Sequence, residues 1–356
     1  MRTIDWVDGA IELVDQTRLP GDCVFLRIES VAGLIGAIRR LAVRGAPALG
    51  VAGAMGVALA ARTGEPIDAL RAARPTAVNL AWGVDEAARH LPDADAVLAR
   101  ALEIRDDDIA ACYRMGALGA DLVRELTAGP DRSGASGASG GTGGFRRIRV
   151  MTICNTGGLA AVERGTALGV VQTLHERGLL AETLALETRP LLQGARLTAW
   201  ELGRMGAPHR LVVDGAGPYL LARGAADVVL IGADRIAANG DTANKIGSYS
   251  LALGARRAGV PFVVVAPETT IDPAITSGDR IEIEDRGPGE VLSIHGVRLA
   301  PEGTGAANPA FDVTPHDLIT AVVTDRRVIR VDRGETPYAP GTPERWPAGE
   351  AADLTL

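Results

Sequence analysis

ADVVLIGADRIAANGDTANKIGSYSLALGARRAGVPFVVVAP, residues 226–267, decides the fold class of this chain of 356 residues. It opens on the apolar run ADVVLIGAD and closes on PFVVVAP. Both runs are short, rich in β-branched residues and bounded by Gly, Asp or Pro, the pattern of strands buried on both faces. Between them the spacing predicts a helix over Thr242–Ala258. Strand, helix, strand implies a right-handed crossover and a parallel sheet. The stretch also holds Lys245, the single lysine in a chain whose Lys and Arg together number 37. Ammonium is a compact point charge and guanidinium a planar fork. A position that keeps Lys where every other cation is Arg suits close work beside a charged group. The competing reading is a lysine left by chance on a surface helix, and the polar, Gly-rich surroundings favour the first.

The same rhythm extends outward from residue 146. RRIRVMTIC precedes a helix around Ala160–Arg177, TLALET precedes one around Ala195–Met205, and HRLVVDGAG precedes one near Pro218–Arg223. A last helix is expected from Thr314, before RRVIRV. The fold class is α/β, with a parallel-sheet domain over 146–330 preceded by a smaller, mostly helical domain over 1–130. In that first domain IELVDQTRLP and DCVFLRIES suggest a small hairpin, and VAGLIGAIRRLAVRG a helix ended by Gly45. Pro47 starts a second helix, since Pro is favoured in a first turn. RPTAVNLAWGVDEAARHL and ADAVLARALEIRDDDIAACYRMGALGADLV give further helix. Residues 131–145 are Gly/Ser-rich and read as a linker or insertion, and 331–356 as a Pro-rich arm.

Composition narrows the function. A net charge of -7 argues against a general nucleic-acid binder, so an anionic ligand needs local cations set against the global sign. Hydrophobic residues make up 47% but aromatics only 3%, so the cores are built of Ala, Leu, Val and Ile. Cys23, Cys112 and Cys154 are odd in number and far apart, which fits a reducing cytoplasm. The five histidines show no metal-ligand spacing, and no metal is expected. The N-terminus has no signal pattern, and the run VAGAMGVALAA is too short to span a bilayer and reads as a buried helix.

In parallel sheets ligands bind beyond the carboxyl ends of strands. That rule selects Cys154, Glu187, Asp214, Asp234 and the PETT segment. Cys154 is followed by NTGG, expected to open a helix whose dipole would lower the thiol's pKa. The thiol is then a base, a nucleophile or a hydrogen-bond donor; the bland alternative is an inert core cysteine. Asp234 ends VVLIGA at the edge of a dry pocket, where a carboxyl that stays protonated is a general acid. An ion pair with Arg235 is the structural alternative. Asn244 and Lys245 follow Asp241, a candidate N-cap, and so fall in a helix's first turn, where anions bind. Arg44 and Gly45, in VRGAPALG, offer a guanidinium and an open backbone to a phosphate. Arg74 stands before a proline, and Gln193, just before a helix, can bond sugar hydroxyls. The pattern Gly215-Ala216-Gly217 is a weak nicotinamide signal, because Leu220 holds the third glycine's place.

Taken together, RGAPALG (44–50), RPTAVN (74–79), ICNTGGLA (153–160), ETRPLLQGARLTAWEL (187–202), GADRIAANGDTANKIGSY (232–249), PETTID (267–272) and NPAFDVTP (308–315) resemble the S-methyl-5-thioribose-1-phosphate isomerase family of methionine salvage. Its superfamily also holds ribose-1,5-bisphosphate isomerase and subunits of a translation initiation factor's nucleotide exchanger. The resemblance runs from about Ile11 to Val328 outside the Gly/Ser segment. It implies a Rossmann-like second domain without a dinucleotide or other cofactor, a cytoplasmic homodimer, and a small-molecule sugar phosphate as ligand, with no nucleic-acid or membrane partner. It implies Cys154 and Asp234 as the catalytic pair, with Arg44, Gly45, Ala46, Arg74, Gln193, Asn244 and Lys245 as substrate contacts. Ile153, GGLAAVERG and VDGAGPYLL depart from the family pattern and leave the charged set intact. The implied reaction is an aldose-to-ketose isomerisation. The alternatives are an isomerase of a related (deoxy)pentose 1-phosphate or ribose 1,5-bisphosphate, a non-catalytic sugar-phosphate or nucleotide-sensing subunit, and, more weakly, a nicotinamide-dependent dehydrogenase.

Overall fold

The computed structural model describes residues 1–74, 77–128 and 147–338. The Gly/Ser-rich segment 131–145, Pro75 and Thr76 of RPTAVN, and the C-terminal arm beyond Tyr338 lie outside the described residues.

Strands β1 (Ile4–Val7), β2 (Ala10–Val14) and β3 (Phe25–Ile28) form an antiparallel sheet in that order. Asp8 and Gly9 join β1 to β2, and both take positive φ, the geometry of a two-residue hairpin turn. The expected hairpin is β2–β3, and β1 extends it. Helix α1 (Val31–Arg39) is capped by the Ser30 side chain and ends well before Gly45, because Leu41 turns into the left-handed region at φ 62°. Helices α2 (Ala46–Thr63), α3 (Asp68–Arg71), α4 (Val78–Ala88) and α5 (Ala94–Leu126) follow.

Helix α2 is long and apolar enough to cross a membrane, yet most of it is buried inside the protein. Glycines bring it against α4: a Cβ on Gly83 would lie 2.0 Å from the Gly50 carbonyl oxygen, and one on Gly53 2.7 Å from that of Leu80. With few aromatics to fill space, close backbone approach replaces bulk. Helix α5 serves two cores. Val97, Ala101 and Ile104 pack with α1, α2 and α4, while Met115, Ala120 and Val123 pack under the main sheet.

That sheet is built from β4 (Ile148–Thr152), β5 (Leu180–Leu186), β6 (His209–Val212), β7 (Val228–Ile231), then, after the short hairpin β8 (Arg235–Ala237) and β9 (Thr242–Lys245), from β10 (Phe262–Val265). The chain continues through β11 (Ile271–Asp272), the small hairpin β12 (Ser293–Ile294) and β13 (Val297–Arg298), β14 (Phe311–Thr314), β15 (Ala321–Val323) and β16 (Val328–Ile329). The main-sheet order is β16-β15-β10-β7-β4-β5-β6, parallel except for β16. Helices α6 (Ala167–Glu176), α7 (Ala199–Arg204), α8 (Gly217–Ala222) and α9 (Ser248–Ala258) provide the crossovers. The α/β architecture with a parallel sheet stands as expected.

Three details differ from the sequence expectations. The helix after Cys154 starts at Ala167, not Ala160, so Cys154 is not at a helix N-terminus. Residues 155–166 instead form a tight loop closed by a Gly157–Gly165 bridge. Gly165, at φ 87°, approaches so closely that a Cβ would sit 2.2 Å from the Thr156 oxygen. Residues 242–245 are strand β9 and not helix, so Asn244 and Lys245 are not in a helix's first turn. The Asn239-Gly240 pair, with Gly240 at φ 97°, turns β8 into β9, and β9 also pairs with β14. Residues from Thr314 onward hold a short 3-10 turn (His316–Leu318), β15 and β16 instead of an α-helix.

Asp241 likewise caps no helix. Its carboxylate accepts hydrogen bonds from the Gly278 N–H (2.9 Å), the Asn239 amide (2.8 Å) and the His316 N–H (2.8 Å). Burial works against its charge, but these donors win and hold its pKa at about 2. A depressed folded-state pKa contributes stability above the ordinary carboxylate value and loses it as pH falls through the folded one. Asp241→Asn is therefore expected to destabilise the protein at neutral pH and to weaken the acid dependence of unfolding between about pH 4 and pH 2, read by denaturant titration. Gly83→Ala is expected to cost about 1–3 kcal/mol by overpacking α2 against α4, read by thermal or urea unfolding.

Candidate active site

Strand order reverses between β4 and β7. From β4 the chain adds β5 and β6 on one side, and from β7 it adds β10 and β15 on the other. Such a switch point opens a crevice beyond the strand ends. The two strands are in parallel register, Thr152 opposite Leu230. Cys154 follows β4 and Asp234 follows β7, so both leave the sheet at that crevice.

A cavity of about 330 Å³ occupies it. Its wall contains Cys154, Asp234, Arg44, Gly45, Ala46, Arg74, Gln193, Asn244 and Lys245. All nine sequence-selected residues meet in one place. Glu187 and Asp214 do not line it. Asp214 accepts the N–H groups of Thr188 (2.7 Å) and Arg189 (2.6 Å), bracing the loop after β5, and the Gly215–Gly217 pattern is a short turn into α8.

Cys154 sits at φ 65°, in the left-handed region that an L-residue enters only when its surroundings hold it there. Two threonines hold it: its N–H donates to Thr188 Oγ1 (2.8 Å), and its carbonyl accepts from Thr198 Oγ1 (2.6 Å). Asp234 faces the open cavity yet is crowded by protein on all other sides. This burial pushes its carboxyl above the usual range, against the pull of Lys245, Arg74 and Arg44. Lys245 Nζ donates to the Ala310 carbonyl (2.9 Å) and rests 4.4 Å above the Phe311 ring. Burial lowers its pKa, while Coulombic attraction toward Cys154 and Asp234 resists that shift. Burial also lowers the pKa of Arg74, with Glu284 and Asp234 opposing.

Gly45 takes φ 103° at the start of α2, and a Cβ there would lie 2.4 Å from the Ala160 oxygen. Only glycine lets the first turn of α2, whose free N–H groups favour an anion, reach the wall. Arg44 Nε donates to Gln16 (3.2 Å), and its terminal nitrogens bond the carbonyl and the side-chain oxygen of Asn155. Gln193 Oε1 is buried without a partner, a polar atom left for a ligand. Asn244 is buried and donates to Ser248 (2.8 Å).

The sequence reading missed Arg286 and Phe311, which also line the cavity. Arg286 lies in the irregular segment EDRGPGE, tied to Glu290 and Glu284, where no periodicity marks it. Phe311 arrives by pairing β14 with β9, opposite Lys245. The Asn239-Gly240 turn was the available signal for the β8–β9 hairpin, but not for its pairing with β14.

A small cavity with the cations Arg44, Arg74, Lys245 and Arg286 around a carboxyl is suited to a compact anionic molecule. Residues 42–330 match the initiation factor 2 subunit family, and the chain belongs to it. It is similar to a probable bifunctional methylthioribose-1-phosphate isomerase/methylthioribulose-1-phosphate dehydratase from Nocardia farcinica, at 49% identity over 100% of this chain and 66% of that one. It is also similar to a methylthioribose-1-phosphate isomerase from Alkalilimnicola ehrlichii, at 47% identity over 92% of this chain and 94% of that one. Among solved structures it resembles 5-methylthioribose 1-phosphate isomerase from Pyrococcus horikoshii OT3, with TM-score 0.81, 36% identity and 92% of each chain covered. It resembles comparably the translation initiation factor eIF-2B, subunit delta, from A. fulgidus, with TM-score 0.79, 36% identity and coverage of 93% and 96%.

A ligand in this cavity shields Cys154 but not the exposed Cys23. Inorganic phosphate at millimolar concentration is expected to slow modification of Cys154 by N-ethylmaleimide severalfold and leave Cys23 unchanged, read by peptide mass spectrometry.

Proposed function

We propose that this chain is an aldose–ketose isomerase that converts S-methyl-5-thioribose 1-phosphate into S-methyl-5-thioribulose 1-phosphate, a step of methionine salvage. The observation that carries this reading is the shared cavity: a thiol, a carboxyl pushed toward its protonated form and a set of cations line one space.

In the sugar, C1 carries the phosphate and is joined to the ring oxygen. The protonated carboxyl of Asp234 donates to that oxygen as the C1–O bond breaks, leaving a hydroxyl on C4 and an electron-poor C1. The hydrogen on C2 then moves to the electron-poor C1 with its bonding pair, and the C2 hydroxyl becomes the ketone by giving its proton to the Asp234 carboxylate, which restores the acid. Net, one hydrogen shifts from C2 to C1 and no cofactor is consumed. Cys154 manages the C2 hydrogen or the charge that develops as it leaves. Arg44, Arg74 and Lys245, with the first N–H groups of α2 beyond Gly45 and Ala46, neutralise the phosphate and hold C1 and C2 in register. Gln193 and Asn244 bond the sugar hydroxyls.

We further propose that the protein works as a homodimer in the cytoplasm. The exposed apolar side chains of Tyr219 on α8 and Tyr249 and Leu253 on α9 support the dimer. Three cysteines free of disulfides support a reducing compartment.

The discriminating experiment is incubation with S-methyl-5-thioribose 1-phosphate and detection of the ketose. Binding without turnover would favour the regulatory-subunit reading that the resemblance to subunit delta keeps alive. A panel varying only the C5 substituent separates the related pentose phosphates. Cys154→Ala and Asp234→Asn are each expected to fold and to lose at least about 100-fold in kcat. Lys245→Arg retains charge and is expected to raise KM; unchanged binding would remove the need for an ammonium there. Because burial raises the Asp234 pKa, turnover is expected to fall with rising pH as that carboxyl ionises, a limb absent in Asp234→Asn.

A further inference from the structure

Behind the cavity wall lies a polar chain that the reaction above does not use. Glu201 belongs to α7, and its carboxylate is turned inward beneath the loop that follows Cys154. There it accepts from Asn155 Nδ2 (2.5 Å) and the Leu159 N–H (3.2 Å). The loop is shaped to admit it: a Cβ on Gly157 would lie 2.3 Å from Glu201 Oε2, and one on Gly158 3.3 Å from Oε1. Asn155 Nδ2 also reaches Thr198 Oγ1 (3.3 Å), the hydroxyl that donates to the Cys154 carbonyl. The far side of the same amide, Oδ1, accepts from the Arg44 guanidinium.

An amide offers donors on one side and an acceptor on the other. Turned over, Asn155 would set its oxygen against the Glu201 carboxylate and its NH₂ against a guanidinium, mismatched at both ends. Glu201 is the only anion touching that amide among the described hydrogen bonds, and it sets the donor end of the amide as Arg44 sets the acceptor end. Burial raises the Glu201 pKa, countered by Asn155, the loop N–H groups and Arg44.

We infer that Glu201 is a positioning residue for substrate binding: through the Asn155 side chain it presents the acceptor that holds one terminal nitrogen of the Arg44 guanidinium at the cavity wall, beside the anchors that Gln16 and the Asn155 carbonyl supply. This rests on the reading of Arg44 as a phosphate-gripping cation. Glu201 touches no substrate and takes no proton in the reaction, so its influence falls on binding more than on the chemical step.

The test swaps the polarity of the chain. In Glu201→Gln the oxygen of the introduced amide stays with the Leu159 N–H, a donor that cannot turn, so its NH₂ meets the NH₂ of Asn155, and Asn155 turns and sets a donor against Arg44. KM for the thioribose phosphate is expected to rise about tenfold, the scale of one broken buried hydrogen bond, with kcat within about threefold of wild type. Adding Asn155→Asp restores complementarity, because the introduced carboxylate accepts from both the introduced amide and Arg44; KM in the double variant is expected to return most of the way. Asn155→Asp alone opposes two carboxylates that are compatible only when one proton is shared. Its KM, relative to wild type at each pH, is expected to fall as pH is lowered. Circular dichroism and thermal unfolding check that each variant folds, and if Glu201→Gln does not fold, the pH trend of Asn155→Asp carries the test. An unchanged KM in Glu201→Gln, a double variant no better than the single one, or a flat pH trend would overturn the inference. Arg44→Gln separates the premise: if it leaves KM unchanged, the phosphate role of Arg44 fails, whereas a raised KM there beside an indifferent Glu201→Gln sinks only the positioning role.

Discussion

The parallel pairing of β4 with β7 is the constraint on which the rest of the site depends. These neighbouring strands are far apart in sequence, and the crossovers leaving them run to opposite sides of the sheet. The backbone opens where they part, and whatever follows each strand faces the gap. The register that sets Thr152 opposite Leu230 brings Cys154 and Asp234 to one cavity before any side chain is chosen. The loops then refine that placement. Thr188 and Thr198 clamp the backbone of Cys154 on both sides, and a hydrogen bond from the Asp234 N–H to the Ala243 carbonyl (2.9 Å) ties its loop to β9.

The N-terminal half completes what the sheet begins. Arg44, Gly45 and Ala46 come from the junction of α1 and α2, and they reach the cavity only because Gly45 has no side chain to strike Ala160. Gln16, at the end of the first sheet, donates to the Leu159 carbonyl (2.7 Å) and accepts from Arg44, so one side chain joins the two halves at the wall. The global charge of -7 and the local ring of cations are consistent. Several arginines are spent in exposed pairs such as Arg71–Asp85 and Arg18–Asp22, which contribute little each. Those in the cavity face a carboxyl that burial has moved toward neutrality, and the local balance stays positive.

The parallel strands and the residues at their carboxyl ends could be read from the sequence because both signals are local: short β-branched runs, then Gly, Asp or Asn. The helices at α2, α4 and α5 could be read from apolar periodicity. What escaped depends on contacts distant in sequence. Strand β9 read as helix because TANKIGSYSLALGARR carries helical spacing, yet its first four residues gain two strand partners, β8 and β14, and the Asn239-Gly240 turn outweighs local propensity. Residues 160–166 read as helix, but the close approach of Gly165 to Thr156 and Gly157 draws the segment into a loop. Arg286 had no local mark at all.

The surviving lysine gains a different meaning from its place on a strand. At a helix N-terminus its charge would oppose the dipole, and chance survival would be a fair account. On β9 it stands opposite Phe311, with Nζ above that ring and hydrogen-bonded to the Ala310 carbonyl. Both contacts come from the partner strand, so they position the ammonium without spending a carboxylate on it. A guanidinium would spread its charge over a plane and carry five donors into a space that satisfies one. An ammonium satisfies that one and keeps two donors for a ligand, while its nearness to Asp234 leaves the carboxyl room to hold or release a proton. A cation fixed in place with no ion pair among the described residues is hard to build from arginine, and that is a sufficient physical reason for one position to resist the drift that claimed the others.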